Sequence, residues 1–118
     1  MRIPDHPTFI LRMLQARLKK LSTSSPILAA SLANYRHPCG QPSCRCHRGG
    51  PLHAAQHITF TEGGKTRTVY VPQSLVPEVR TWLAEHQRLK ALLREIHHLT
   101  VALLRARARF LKLKAGRR

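Results

Sequence analysis

The sequence predicts an α+β protein with an N-terminal helix, a small antiparallel β-hairpin or sheet tied to a Cys3His zinc knuckle, and a long C-terminal coiled-coil helix. All three cysteines lie in one turn-rich segment. Two β-type runs around a Gly-Gly pair follow that segment. An apolar heptad then continues to the basic C-terminus. The expected divisions are an amphipathic helix with its linker (1–26), a zinc-knuckle and hairpin module (27–76) and a basic heptad helix (77–118).

The N-terminal segment, residues 5–21, is expected to be a helix because its leucines share one face at 3-4-3 spacing. Asp5 or Thr8 is expected to cap its start. Pro26, after a run of Ser and Thr, ends the segment. Residues 27–37 are ambiguous, since their alanines favour a helical turn and their position before a hairpin favours a strand. The predicted stripe is Leu11, Leu14, Leu18 and Leu21.

The segment that ends at His53 is the candidate metal site. It contains Cys39, Cys44 and Cys46 at C-x4-C-x-C spacing, and its glycines and prolines provide almost no core. Three thiolates and an imidazole suit a closed, tetrahedral Zn²⁺ site. An odd number of cysteines also excludes complete internal disulfide pairing. His53 is the preferred fourth ligand, and His47, His37 and His57 remain open alternatives.

A structural role is expected for this metal. A catalytic zinc needs an open coordination position and a nearby base. The segment between Cys39 and His57 contains no carboxylate, and the five acidic residues of the chain are dispersed. The sequence also lacks a nucleophile-elbow or phosphate-loop pattern. We therefore expect no enzymatic activity.

The strongest β signal follows the cysteines. The runs from Gln56 to Thr61 and from Thr66 to Val71 flank Gly63 and Gly64 and predict a hairpin. Thr66, Thr68 and Tyr70 would share one face. The few aromatic residues are expected in the core rather than on a base-stacking surface. They are Tyr35, Phe60, Tyr70 and Trp82.

After Pro77 a helix is expected to run to about Lys114, because no glycine or proline interrupts it. Its apolar residues recur in a sustained heptad, which is typical of a coiled coil. The N-terminal helix is too short to cover this seam, so we expect a homodimer or a partner helix. The seam for that contact consists of Trp82, Leu89, Leu92, Ile96, Leu99, Leu103 and Phe110, with Ala106 and Leu113 at companion positions.

The chain has 21 Lys and Arg residues against 5 Asp and Glu residues, a net charge of +16. Such a balance favours a polyanionic partner, and nucleic acid, either DNA or RNA, is the expected one. Two-stranded ribbons and basic helices both contact nucleic acid. The predicted contact residues are Arg36, Arg45, Arg48, Lys65, Arg67, Arg105, Arg107, Arg109, Lys112 and Lys114, and the basic stretch continues to Arg117 and Arg118.

Two other functions remain open. The heptad helix is also consistent with a protein-interaction adaptor, and the basic composition with a ribosome-associated protein. No stretch reaches the roughly 18 apolar residues of a membrane span. Because the N-terminus also lacks the apolar run of a signal peptide, a cytoplasmic location without membrane contact is expected.

Several motifs together resemble a known family. They are S-L-x-x-Y-R (Ser31 to Arg36), C-G-x-P-x-C-R-C (Cys39 to Cys46), His53 and G-G-K-T-R-T-V-Y-V-P (Gly63 to Pro72), with L-V-x-E-V-R-x-W (Leu75 to Trp82) beyond them. Over about residues 30–90 the chain resembles a family of short prokaryotic proteins of unknown function, often encoded near transposases or other mobile elements. The resemblance implies a Cys3His grouping that includes His53. At the position of His53, relatives tend to have H-G-P followed by several aromatic residues. This chain instead has the segment His53-Ala-Ala-Gln-His57.

Overall fold

The computed structural model describes residues 1–116, so Arg117 and Arg118 of the predicted basic stretch lie outside the described residues. The chain has two helices and one antiparallel three-stranded sheet, which confirms the predicted α+β class. The elements are α1 (Pro7–Lys19), β1 (Ser31–His37), β2 (His53–Glu62), β3 (Lys65–Val71) and α2 (Val76–Ala115), with 3₁₀ turns at Arg45–Arg48 and Gln73–Leu75.

These elements form two compact units, and the predicted division into segments 1–26, 27–76 and 77–118 stays a prediction. The helical unit comprises Met1–Ser24 and the chain from Gln87 onward, and the sheet unit comprises Ser25–His86. The helical unit is made of two separate stretches of sequence because α1 packs against the second half of α2. Helix α2 therefore contributes residues to both units.

The helical unit is an antiparallel helix pair with its own core. Ile10 and Leu14 on α1, one turn apart, pack against Leu99 and Leu103 on α2, and Ala106 completes the buried cluster. Ile10 and Leu99 are almost completely buried, at 1% and 0% exposure. Apolar residues three and four apart lie on the same side of a helix, which is why these positions form the contact.

Polar contacts fix the register of the pair. Arg17 Nε donates to Glu95 Oε2 at 2.9 Å. Arg88 Nη1 and Nη2 donate to the carbonyl oxygens of Lys20 and Ser22, at 2.8 and 3.2 Å. The guanidinium of Arg88 thus satisfies backbone acceptors at the C-terminal end of α1, where helical carbonyls lack intrahelical partners.

Two expectations for α1 are wrong. Its N-cap is His6, whose Nδ1 accepts from the Thr8 N–H at 3.2 Å, and not Asp5 or Thr8. Pro7 explains the position, since proline favours an extended residue before it and suits the first helical turn. Leu18 of the predicted stripe is 46% exposed, and Ile10 takes a core position instead.

In the sheet unit the strand order is β1-β2-β3, with all pairs antiparallel. The ambiguity over residues 27–37 is resolved in favour of a strand, because Leu32 lies opposite Ile58 and reaches the core. A two-residue turn joins β2 to β3, as predicted. Gly63 and Gly64 have φ of 57° and 78°, the left-handed conformation that a type I′ turn requires at both positions.

Only one face of the sheet meets the core of its unit. Ile58 and Val71 pack with Val76 and Val79 from the start of α2, and Phe60 and Trp82 are partly buried against them. Since side chains alternate along a strand, the remaining positions form the opposite face. We call this the outer face, and its residues are Ser31, Ala33, Tyr35, His37, His53, Ala55, His57, Thr59, Thr61, Thr66, Thr68 and Tyr70.

Part of the predicted heptad seam is covered by contacts with other residues of the same chain. Leu99 and Leu103 are buried and Ile96 is packed against the core of the helical unit, whereas Trp82 contacts the core of the sheet unit. Phe110 is 55% exposed. The predicted homodimer is not tested by these contacts and stays a prediction. Among the described residues, no helix combines the length and apolarity needed to cross a bilayer.

Candidate metal centre

The candidate metal centre lies in the connection between β1 and β2. His37, the last residue of β1, is paired in register with His53, the first residue of β2, so the two strands close the base of the loop. Within the loop, the Cys44 N–H donates to the Gln41 carbonyl at 3.1 Å and closes a first turn. The His47 N–H then donates to the Cys44 carbonyl at 3.2 Å, at the start of the 3₁₀ turn that carries Cys46. The sheet and two tight turns thereby bring distant ligands together.

The structure groups the four residues predicted as ligands, Cys39, Cys44, Cys46 and His53. Their candidate ligand atoms all lie within 4.8 Å of one another. The Sγ atoms of Cys39 and Cys46 are 3.6 Å apart, and Cys44 Sγ is 3.1 Å from His53 Nε2. In a tetrahedral zinc site, bond lengths of about 2.0–2.3 Å separate ligand atoms by about 3.5–3.8 Å. The Cys39–Cys46 distance lies in this range, and the 3.1 Å contact and the 4.8 Å upper limit lie on either side of it, so the four ligand atoms are close enough together to hold one ion.

Hydrogen bonds and burial differentiate the thiols. The pKa of Cys44 is lowered from 9.0 to about 6, chiefly by a backbone hydrogen bond from Cys46 and further by side-chain hydrogen bonds from His53, Cys39 and Cys46. Burial raises the pKa of Cys46. The Cys39 N–H donates to Cys46 Sγ at 3.2 Å, a contact that also stabilises a thiolate. A bound cation favours the thiolate form of all three cysteines.

The three histidines predicted as alternative fourth ligands, His37, His47 and His57, lie outside this grouping. His47 Nε2 lies 2.7 Å from the Cys39 carbonyl oxygen, to which it donates. His37 Nδ1 lies 2.8 Å from the Pro38 carbonyl oxygen and donates to it in the same way. His57 belongs to the outer face, beside Tyr35 and Tyr70. His47 thus supports the backbone of a candidate ligand, a role that its position in the sequence did not reveal.

Two glycines shape the end of the 3₁₀ turn. Gly49 caps it with φ of 84°, a left-handed conformation. The Gly50 N–H donates to the Arg45 carbonyl at 2.9 Å. A Cβ atom on Gly50 would lie 2.7 Å from that carbonyl oxygen, closer than real Cβ contacts allow. The chain therefore needs glycine at this position to turn back towards His53.

The basic residues predicted to contact nucleic acid are exposed, but they belong to different elements. In the sheet unit, Arg45 and Arg48 lie on the 3₁₀ turn of the candidate metal centre, and Arg36 lies on β1. Lys65 is opposite Glu62 and Arg67 is opposite Phe60, so both follow the core side of the sheet rather than the outer face. In the helical unit, the exposed residues of α2 are Arg105, Arg107, Arg109, Lys112 and Lys114.

The expectation that the aromatic residues are all core is wrong for two of them. Phe60 and Trp82 are partly buried, but Tyr35 and Tyr70 are each 58% exposed on the outer face. The alternation Thr66-Thr68-Tyr70 already placed Tyr70 on a face with polar residues. Tyr35 could not be assigned before β1 was known to pair with β2, because the pairing decides which face its side chains take.

A protein-family comparison matches residues 11–81 of the chain to a domain of unknown function, DUF6788. The match includes α1 from Leu11 onward, the candidate metal centre and the whole sheet. Comparisons with curated proteins and with solved structures find no significant match. Because the family model covers more than half of the chain, this protein belongs to the DUF6788 family.

Proposed function

We propose that this chain is a zinc-stabilised nucleic-acid-binding protein that acts as an accessory subunit of a nucleoprotein complex, such as that of a mobile element. In this proposal zinc is structural, because the protein supplies all four donors of a tetrahedral site and leaves no open position. The bound ion would cross-link the loop. The residues that would hold the ion are Cys39, Cys44, Cys46 and His53.

The observation that carries the proposal is the charge of the helical unit. Its two sequence segments contain 15 of the 21 Lys and Arg residues and 2 of the 5 acidic residues, a net charge of +13. The sheet unit has six basic and three acidic residues. On α2, the exposed residues Arg105, Arg109 and Lys112 are spaced i, i+4, i+7 and form one stripe. A phosphate backbone is the polyanion that such a stripe suits.

A salt titration tests the proposal. The wild-type chain is mixed with labelled duplex DNA, single-stranded DNA and RNA, and binding is measured between about 20 and 200 mM salt. We expect log K to fall linearly with log salt, with a slope of about −0.7 to −0.9 for each phosphate neutralised. Absence of binding to all three probes at the lowest salt would refute nucleic-acid binding.

A triple variant tests the stripe itself. Replacing Arg105, Arg109 and Lys112 with Gln should make the slope shallower by about 2 to 3. A matched control removes three exposed charges from α1 and its C-cap, by replacing Arg12, Lys19 and Lys20 with Gln. An equal effect of the two triple variants would mean that charge is used diffusely and that the α2 stripe has no special role.

A second function, docking a partner helix or a second copy, is favoured by the apolar residues exposed near the end of α2. Leu104 and Leu111 are each 69% exposed and lie seven residues apart, and Leu113 is 65% exposed. Analytical ultracentrifugation of wild type and of a Leu104→Gln/Leu111→Gln variant tests this. A concentration-dependent dimer that the variant abolishes supports it, and a wild-type monomer at all concentrations contradicts self-association.

A further inference from the structure

The outer face of the sheet is an exposed surface with aromatic rings on all three strands. Tyr35 lies on β1, His57 on β2 and Tyr70 on β3, and both tyrosines are 58% exposed. Buried apolar residues belong to the other face, which packs against the start of α2. The core of the sheet unit therefore does not account for these rings.

The rings form one continuous group. The centroid of His57 is 5.5 Å from that of Tyr35 and 5.7 Å from that of Tyr70, and both pairs are edge-to-face. His37 extends the group towards the candidate metal centre, with its centroid 5.5 Å from Tyr35. Edge-to-face packing holds rings at an angle to their neighbours, and each tyrosine remains more than half exposed for a further planar group.

Beside this group lies a shallow hollow of about 360 Å³, lined by Ala33, Tyr35, His57, Thr59 and Thr68. Small side chains form its floor, and an aromatic ring and an imidazole border it. The Nδ1 atom of His57 is buried and has no hydrogen-bond partner within the described part of the chain. Buried polar atoms without a partner are few in native proteins and costly, which marks this part of the outer face as unusual.

The outer face contains no Lys, Arg, Asp or Glu residue, but cations occur at both ends of its strands. At one end, Arg45 and Arg48 lie on the connection between β1 and β2, which enters β2 at His53. At the other end, Lys65 follows the turn that closes the hairpin. A ligand with flat, uncharged groups and a charged backbone matches this distribution of rings and charges.

We propose that the outer face binds single-stranded nucleic acid by stacking bases on Tyr35 and Tyr70, beside the hollow that His57 helps to line. This inference rests on the proposed function and specifies its substrate class. Stacking requires an accessible base face, which a single strand offers and a duplex conceals. Arg45 and Arg48, at the end of the face beside the candidate metal centre, contact the phosphates that flank the stacked bases.

The test measures fluorescence anisotropy with labelled 12-nucleotide oligo-U and oligo-dT, and with a duplex of equal length. Tyr35→Thr and Tyr70→Thr each remove a ring and introduce a β-branched residue, which is well suited to a strand. Each should weaken single-strand binding about 5- to 150-fold, the range for loss of one base–aromatic stack. The salt slope should stay unchanged because no phosphate contact is lost.

Three controls accompany these variants. Tyr35→Phe and Tyr70→Phe keep the rings and should retain most of the affinity. Val69→Thr changes the neighbouring position of β3 on the opposite face, where Val69 is 48% exposed, and should leave binding unchanged. NMR of wild type, which does not depend on a variant folding, should show ring resonances of both tyrosines shifting when oligo-U is added.

The outcomes separate this inference from the proposed function. If wild type binds nucleic acid while the Thr variants bind equally well and the tyrosine resonances do not shift, the stacking surface is refuted and nucleic-acid binding stands. If wild type binds the duplex as tightly as either single strand, the proposal that the outer face prefers single-stranded nucleic acid is wrong. If wild type binds no probe at low salt, both proposals fail together.

Discussion

At the scale of single residues, the candidate metal centre contains two histidines with different roles. His53 Nε2 lies 3.1 Å from Cys44 Sγ, within the candidate ligand group, whereas His47 Nε2 donates to the Cys39 carbonyl. One imidazole is placed to coordinate a metal, and the other orients the loop that carries a ligand. Outer partners of this kind usually affect metal affinity less than the ligands do.

We therefore expect His53→Ala to weaken zinc binding far more than His47→Ala, which should cost at most about 10- to 100-fold. His53→Cys should recover much of the loss, because a fourth thiolate also completes a tetrahedral site. Competition with a chromophoric chelator measures these affinities. A larger loss for His47→Ala than for His53→Ala would transfer the ligand role to His47.

Two glycines of the same loop allow a steric test. A Cβ on Gly50 would lie 2.7 Å from the Arg45 carbonyl oxygen, whereas nothing lies within 4 Å of a Cβ on Gly40. Gly50→Ala should thus destabilise the loop by about 1–3 kcal/mol, as overpacking does, and weaken zinc binding in parallel. Gly40→Ala should leave the zinc content and the thermal midpoint unchanged. Similar behaviour of the two variants would contradict the described path of the loop.

At the scale of elements, local chemistry and pairing contributed differently to what could be predicted. The β2–β3 hairpin was predictable because Gly63-Gly64 and the alternating residues around it specify a turn and two strands locally. β1 was ambiguous because its alanines favour a helix and only its pairing with β2 makes residues 31–37 a strand. The core positions of α1 depended equally on a partner, since Ile10 is buried only by α2.

The end of α1 provides a prediction at this scale. Arg88 Nη1 and Nη2 donate to the Lys20 and Ser22 carbonyls, so Arg88→Met should lower the free energy of unfolding by about 1–3 kcal/mol. Lys90→Met removes the same charge from an exposed residue two positions further along α2. Its effect should be within about 0.5 kcal/mol of zero. Chemical denaturation measures both, and equal losses would show that charge, not capping, is responsible.

At the scale of the whole molecule, each unit has its own source of stability. The helical unit has a buried apolar cluster that includes Ile10, Leu14 and Leu99. The sheet unit has a smaller apolar cluster, and the connection between β1 and β2 contributes only Cys46 to the buried residues. The four candidate ligands were predictable because their spacing is local. The exposed outer face was not, because it arises only when three strands pair.

This division predicts a partial response to metal removal. A high-affinity chelator should release about one zinc per chain and unfold the loop between β1 and β2, because thiolates without a cation repel one another and the loop has little core of its own. Amide hydrogen exchange should then accelerate at His37, Cys46 and His53. Amides of Ile10, Leu14 and Leu99 should keep their protection, since no ligand belongs to the helical unit. Renewed addition of zinc should restore the exchange pattern. Equal acceleration in both units would show that they unfold cooperatively, and unchanged exchange in the loop would show that its shape does not depend on a metal.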